Sequence, residues 1–110
     1  MTQIDKLRFI RENISAEDIL CQIAEEAAEL TQAALKLKRK MEMRNPTPLD
    51  LESLKERLLG EIADVYVALD VLLASPDDLS SIDHKYEFKL GRWVMRLMEG
   101  ERKEIENDLR

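Results

Sequence analysis

The sequence has 110 residues, room for one domain with one modest hydrophobic core. Charged residues make up 36% of it and aromatics 5%, with three glycines and three prolines, a composition of helices rather than sheets. The formal charge of −6 excludes general binding to nucleic-acid backbones, though not a nucleotide whose charge arrives with a cation.

Cys21 is the only cysteine, so an intrachain disulfide is excluded and a reducing compartment fits. The stretch Met1 to Asn13 is charged throughout and does not read as a cleavable signal. The longest apolar stretch, Ile62 to Ala74, contains Asp64 and Asp70 and is too short to span a bilayer. A cytoplasmic protein with no membrane contact is the expectation.

Four helices are predicted in chain order. Residues 2 to 12 form a short amphipathic lead-in carrying Ile4, Leu7 and Ile10. Ser15 then opens a second helix, as N-cap ahead of Glu17 and Asp18, and its basic end (Lys36, Lys38, Arg39, Lys40) suits a helix C-terminus. Asn45-Pro46-Thr47-Pro48 breaks the chain, and Thr47 as N-cap with Pro48 in the first turn predicts a third helix ending near Ala74. Ser75-Pro76-Asp77-Asp78 repeats that grammar for a fourth, ending near Gly100, beyond which the polar residues 101 to 110 extend the helix or fray. The expected fold class is all-α, an antiparallel helical bundle.

The second helix carries Glu25, Glu26 and Glu29, and the third carries Glu61 and Asp64. Residues three apart on a helix are neighbours, so Glu26 pairs with Glu29 and Glu61 with Asp64; on facing helices the four would meet. With about 100° per residue, Ile19, Ile23, Ala27, Leu30, Ala34 and Leu37 define the buried face, placing Glu26 and Glu29 roughly 60° and 120° from its centre. The segment Ile62 to Ala74 is apolar nearly all round, which predicts burial on most sides and sets Asp64 among Ala63, Val67, Ala68 and Val71. An ionised carboxylate there is costly unless paired, and four together repel; a divalent ion resolves both. Oxygen-only ligands select hard ions, Mg²⁺ or Mn²⁺ over Zn²⁺. Alone, Glu25-Glu26-x-x-Glu29 describes an ordinary solvated face, and Glu61-x-x-Asp64 in its apolar helix describes a buried salt bridge as readily as a site; it is their combination that points to metal.

On the last helix Lys85, Lys89, Arg92 and Arg96 form one stripe, a quarter-turn from the apolar set Ile82, Tyr86, Leu90, Trp93 and Leu97. That ridge suits phosphate oxygens, Arg offering bidentate contacts, or else pairs with the abundant acids. Cys21, Tyr86, Phe88 and Trp93 are expected in the core, and His84 at the surface. Gln22, one turn before Glu26, is a candidate contact to a base or to a ligand carboxylate.

The phrases Gln22-Ile-Ala-Glu-Glu-Ala-Ala-Glu-Leu30, Gly60-Glu-Ile-Ala-Asp-Val65 and Lys89-Leu-Gly-Arg92 resemble the MazG-like nucleotide pyrophosphohydrolases, of the all-α NTP pyrophosphatase superfamily. The resemblance covers about residues 15 to 97. It implies Mg²⁺ ligation by Glu26, Glu29, Glu61 and Asp64, a water- or ligand-orienting role for Glu25, and phosphate contacts from Lys89 and Arg92; Lys85 joins them as a candidate phosphate contact through the stripe alone. It also implies hydrolysis of an NTP or dNTP between the α and β phosphates, by a homodimer or homotetramer whose helices complete a bundle between subunits. Two features differ from the family pattern: the segment Met41 to Asp50 is longer than usual, and Asp83-His84 precede Lys85 where an Asn-centred motif is usual. Both bear on substrate identity more than on metal. The alternatives are a phosphoribosyl-ATP or dUTP-specific pyrophosphohydrolase, or a non-catalytic helical module for dimerisation or binding.

Overall fold

The structure, a computed structural model, describes residues 1–42 and 50–110. These form four helices, α1 (Gln3–Asn13), α2 (Ala16–Glu42), α3 (Leu51–Leu72) and α4 (Pro76–Asp108), with no strand among the described residues. Two units are distinguished, Met1–Leu73 and Ala74–Arg110.

Side chains that occupy the orphan amides of the first turn mark where the helices begin. A capping box starts α1: the Thr2 hydroxyl accepts from the Asp5 amide at 3.1 Å, and the Asp5 carboxylate accepts from the Thr2 amide at 3.0 Å. Those bonds hold the Asp5 carboxyl below its ordinary value. As expected, the Ser15 hydroxyl accepts from the Asp18 amide, at 3.1 Å, and α2 follows directly. Thr47 and Pro48 lie outside the described residues, and the observed cap of α3 is Asp50, whose carboxylate accepts from the Ser53 amide at 2.7 Å. An ionised cap also meets the positive end of the helix dipole, which a threonine hydroxyl does not. The helix stops at Leu72, short of Ala74: Leu73 has left helical geometry, and Pro76 restricts Ser75 to the extended conformation it adopts. Ser75 and Pro76 open α4 as expected, and of the two outcomes expected for the polar tail it is extension that occurs: α4 runs past Gly100 to Asp108, with Arg102 beside Glu99 and Glu106.

In the first unit α2 and α3 pack along their length, and α1 packs on α3. One cavity is lined by Ile19 and Glu26 of α2 together with Val71 and Asp64 of α3, so the start of α2 meets the end of α3 and the two run antiparallel. The residues of α2 that turn inward include Ile19, Ile23, Glu26, Leu30, Ala33, Leu37 and Lys40; those of α3 include Leu54, Leu58, Glu61, Val65 and Ala68. Both sets step by four and three alternately, the spacing of two helices sharing a long seam. Ala27 and Ala34, expected inside, are exposed, while Glu26 and Ala33 take their places. Cys21 is likewise exposed rather than in the core, because it lies two positions from each of the seam residues Ile19 and Ile23.

The buried core among the described residues consists of Ile19, Ala33, Leu54, Ala68 and Val71. Val67, expected inside an all-round apolar helix, is 53% exposed, and Tyr66 and Leu72 are exposed with it. A two-helix seam covers only one stripe of α3. In the second unit α4 has no buried residue, so Tyr86, Phe88 and Trp93 are exposed rather than packed in a core; a single helix cannot cover its own apolar stripe.

Leu54 is the most enclosed large side chain, 1% exposed. Leu54→Ala should destabilise the first unit by about 2–5 kcal/mol. Urea unfolding followed by circular dichroism would measure this; an unchanged midpoint would show that the seam is not where the stability resides.

Candidate metal centre

The seam has carboxylates at its middle. Glu26 and Glu61 occupy inward positions of α2 and α3, with Glu29 and Asp64 each one turn further along the same side. One oxygen from each of Glu26, Glu29, Glu61 and Asp64 lies within 4.8 Å of the others. Glu26 and Glu61 are half-buried, whereas Glu29 and Asp64 are exposed. The expected burial of Asp64 is therefore corrected: the seam position falls on Glu61, one turn before it, and Asp64 sits at the margin.

The two inner acids are unusual in what they lack. Oε2 of Glu26 and Oε2 of Glu61 are sealed from solvent and have no hydrogen-bond partner. Buried polar atoms are nearly always partnered, and an orphaned carboxylate oxygen carries the full penalty of desolvation. The other oxygen of Glu26, Oε1, accepts from Nε2 of Gln22 at 2.7 Å. That bond fixes the carboxylate plane and leaves Oε2 as its unsatisfied atom. Burial pushes the Glu26 carboxyl above its ordinary value of 4.5, the charges of Glu29 and Asp64 push the same way, and the Gln22 bond opposes them.

The donor set fits a small hard cation on two counts. It offers oxygen alone, and two of its oxygens are sealed from solvent with no hydrogen-bond partner among the described residues. Glu26, Glu29, Glu61 and Asp64 would hold such an ion, which would supply charge neutralisation for the acids and for any phosphate brought to them.

Glu25 is exposed, one residue off the seam, and is not a member of the four-acid group. Gln22, expected to reach a base or a ligand carboxylate, is engaged with the carboxylate of Glu26. Lys85, Lys89, Arg92 and Arg96 all lie exposed on α4, in the second unit. There Nζ of Lys85 donates to the Ser81 hydroxyl at 2.9 Å, and the Arg92 guanidinium stands 5.9 Å from the Phe88 ring centre. His84 is exposed, as expected.

A cavity of about 270 Å³ adjoins the acids, walled by Ile10, Ile14, Ile19, Val67, Ala68 and Val71 and sharing Gln22, Glu26 and Asp64 with the centre. Sequence reading missed it, because its walls come from three separate segments and each looks like ordinary core. The signal within reach was spacing: the four-three step runs unbroken through Glu26 and Glu61, marking both as inward. Among the described residues no helix is long and apolar enough to cross a membrane. Compared with protein-family models, with curated proteins and with solved structures, the chain finds no match.

The raised Glu26 carboxyl has a signed consequence without divalent cation. A carboxyl that holds its proton more tightly when folded favours the fold fully below its unfolded value, and that contribution is lost as pH rises through the folded value. Glu26→Gln removes this dependence. The variant should therefore gain on the wild type as pH climbs from about 4.5 towards neutrality. Thermal melts in chelator across that range would test it; a variant that loses ground to the wild type as pH rises would contradict the burial argument.

Proposed function

We propose that this chain is a MazG-like nucleotide pyrophosphohydrolase that binds Mg²⁺, or Mn²⁺, at Glu26, Glu29, Glu61 and Asp64 and cleaves an NTP or dNTP between the α and β phosphates. The observation that carries the reading is the pair of sealed, partnerless oxygens of Glu26 and Glu61 inside a four-carboxylate group. A solvated acidic face would turn its carboxylates outward; this one spends two seam positions on them. A bound divalent ion would polarise the phosphates and lower the barrier to attack by water.

The chain's own residues divide the remaining work. Gln22 holds the Glu26 carboxylate in one orientation. Glu25, solvent-exposed next to Glu26, is assigned to orient the attacking water and accept its proton. The oxygen of that water joins one phosphorus of the α–β bridge, the bridge bond breaks, and a monophosphate and pyrophosphate leave. The adjoining cavity, apolar except for Gln22 and the acids, suits the uncharged nucleoside end of the substrate. Lys85, Lys89 and Arg92 are assigned to the phosphates. A homodimer or homotetramer is supported by the exposed Tyr66, Val67 and Leu72 of α3 and by the uncovered stripe of α4. That same stripe favours a second reading, a non-catalytic helical module that binds a partner.

The deciding measurement is pyrophosphate release from a panel of NTPs and dNTPs with Mg²⁺, with Mn²⁺ and with chelator. Metal-dependent release should fall by at least about a hundredfold in Glu61→Gln and Asp64→Asn, with helicity and oligomer size unchanged. Full turnover in either variant would sink the metal assignment. A folded wild type silent across the panel, with no saturable Mg²⁺ effect on its melting temperature, would favour the binding module.

A further inference from the structure

Helix α3 ends without a cation of its own: its last turn carries no basic residue. The Leu69 carbonyl accepts from the Leu73 amide at 2.9 Å, but the carbonyls that follow lack an intrahelical donor and sit at the negative end of the helix dipole. Two of them are taken by a residue from the far end of the sequence. The Arg11 guanidinium donates through Nε to the Val71 carbonyl at 2.9 Å and through Nη2 to the Asp70 carbonyl at 2.6 Å. Both bonds are charge-assisted, and the first is partly buried.

This contact matters more to α1 than to α3. With eleven residues α1 is shorter than a helix that stands alone in water, and none of its residues is buried. Only Leu7, Ile10 and Arg11 are half-buried within it. Its docking therefore depends on two aliphatic contacts and the Arg11 fork. Ile10, and Ile14 just after the helix, are walls of the cavity that shares Glu26 and Asp64 with the acidic centre. The acids themselves stand on α2 and α3 and do not need α1 to converge.

We propose that Arg11 is a positioning residue that caps α3 with its guanidinium and thereby holds α1 as the detachable wall of the cavity receiving the nucleoside end of the substrate. The inference rests on the functional reading above. It separates two tasks within one small unit: α2 and α3 gather the acids, and α1 closes the apolar side. Losing Arg11 should therefore weaken the grip on the organic group while sparing the cation. Lysine in its place keeps the charge at the end of α3 but offers a point donor instead of a planar fork, so it should restore the wall in part.

The test compares wild type, Arg11→Ala and Arg11→Lys in three measurements: amide hydrogen exchange over residues 3–13, the shift in melting temperature with Mg²⁺ alone, and steady-state kinetics with the best nucleotide of the panel. In Arg11→Ala, exchange across α1 should quicken by about tenfold or more and KM should rise by a similar factor, the scale of losing a charge-assisted pair. The Mg²⁺ shift should persist and kcat should stay within about twofold, since the acids are untouched. Arg11→Lys should fall between the two in both exchange and KM. Unchanged exchange in Arg11→Ala would overturn the latch, and quickened exchange with unchanged KM would overturn the wall. A wild type that neither responds to Mg²⁺ nor turns over would overturn the functional reading, and this proposal with it.

Discussion

Two glutamates in the packing seam of α2 and α3 are the constraint on which the first unit turns. A pair of helices that share a seam presents residues to each other at alternating steps of four and three, and apolar side chains normally fill every step. Here Ile23 and Leu30 flank Glu26 on one helix, and Leu58 and Val65 flank Glu61 on the other. Ile19, Ala33, Leu54 and Ala68 exclude water elsewhere along the seam, so the two carboxylates are held inward by neighbours that offer them nothing. Glu29 and Asp64, one turn along, add charge where it is already excessive. Such an arrangement destabilises the protein in the absence of a ligand, and strained or unsatisfied groups of this kind collect at functional sites.

The same seam explains why the cavity lies where it does. Towards the start of α2 and the end of α3 the inward residues are Ile19, Ala68 and Val71, and α1 brings in Ile10 from the side. Passing from Asp64 and Glu26 towards Val71, the lining changes from carboxylate to aliphatic. A ligand with an anionic end and an uncharged end would find both in register, provided a cation mediates at the acids. Gln22 belongs to both regions, lining the cavity while donating to Glu26. Its expected role as a base contact and its observed role as a carboxylate holder are compatible, since an amide has donors and an acceptor to spare after one bond.

Much of this was legible in the residues and some was not, for identifiable reasons. Helix existence followed from periodicity and punctuation, and Ser15 and Ser75 acted as caps because a short hydroxyl side chain before an acidic turn has few other uses. The Asp50 cap of α3 was not picked out, because a threonine and a proline look like a start as strongly as Asp50 does. The convergence of Glu26, Glu29, Glu61 and Asp64 was readable from three-residue spacing on two helices. Which of them turns inward lay in the unbroken four-three step, but ranking by hydrophobicity drew Ala27 and Ala34 into the stripe in place of Glu26 and Ala33. Geometry decides that choice, and small residues such as alanine carry little weight against it. Arg11 left no trace at all, because its partners are main-chain carbonyls some sixty residues away, and those have no sequence.

The second unit poses the complementary problem. Thirty-three residues of α4 keep their apolar stripe uncovered, with Trp93 65% exposed. A contiguous face of Ile82, Tyr86, Leu90, Trp93 and Leu97 on one helix draws its stability from being covered, because propensity alone does little for any helix in water. Lys85, Lys89 and Arg92 stand a quarter-turn from that face on the same rigid element. Whatever packs on the apolar stripe therefore also fixes the direction in which the cations point.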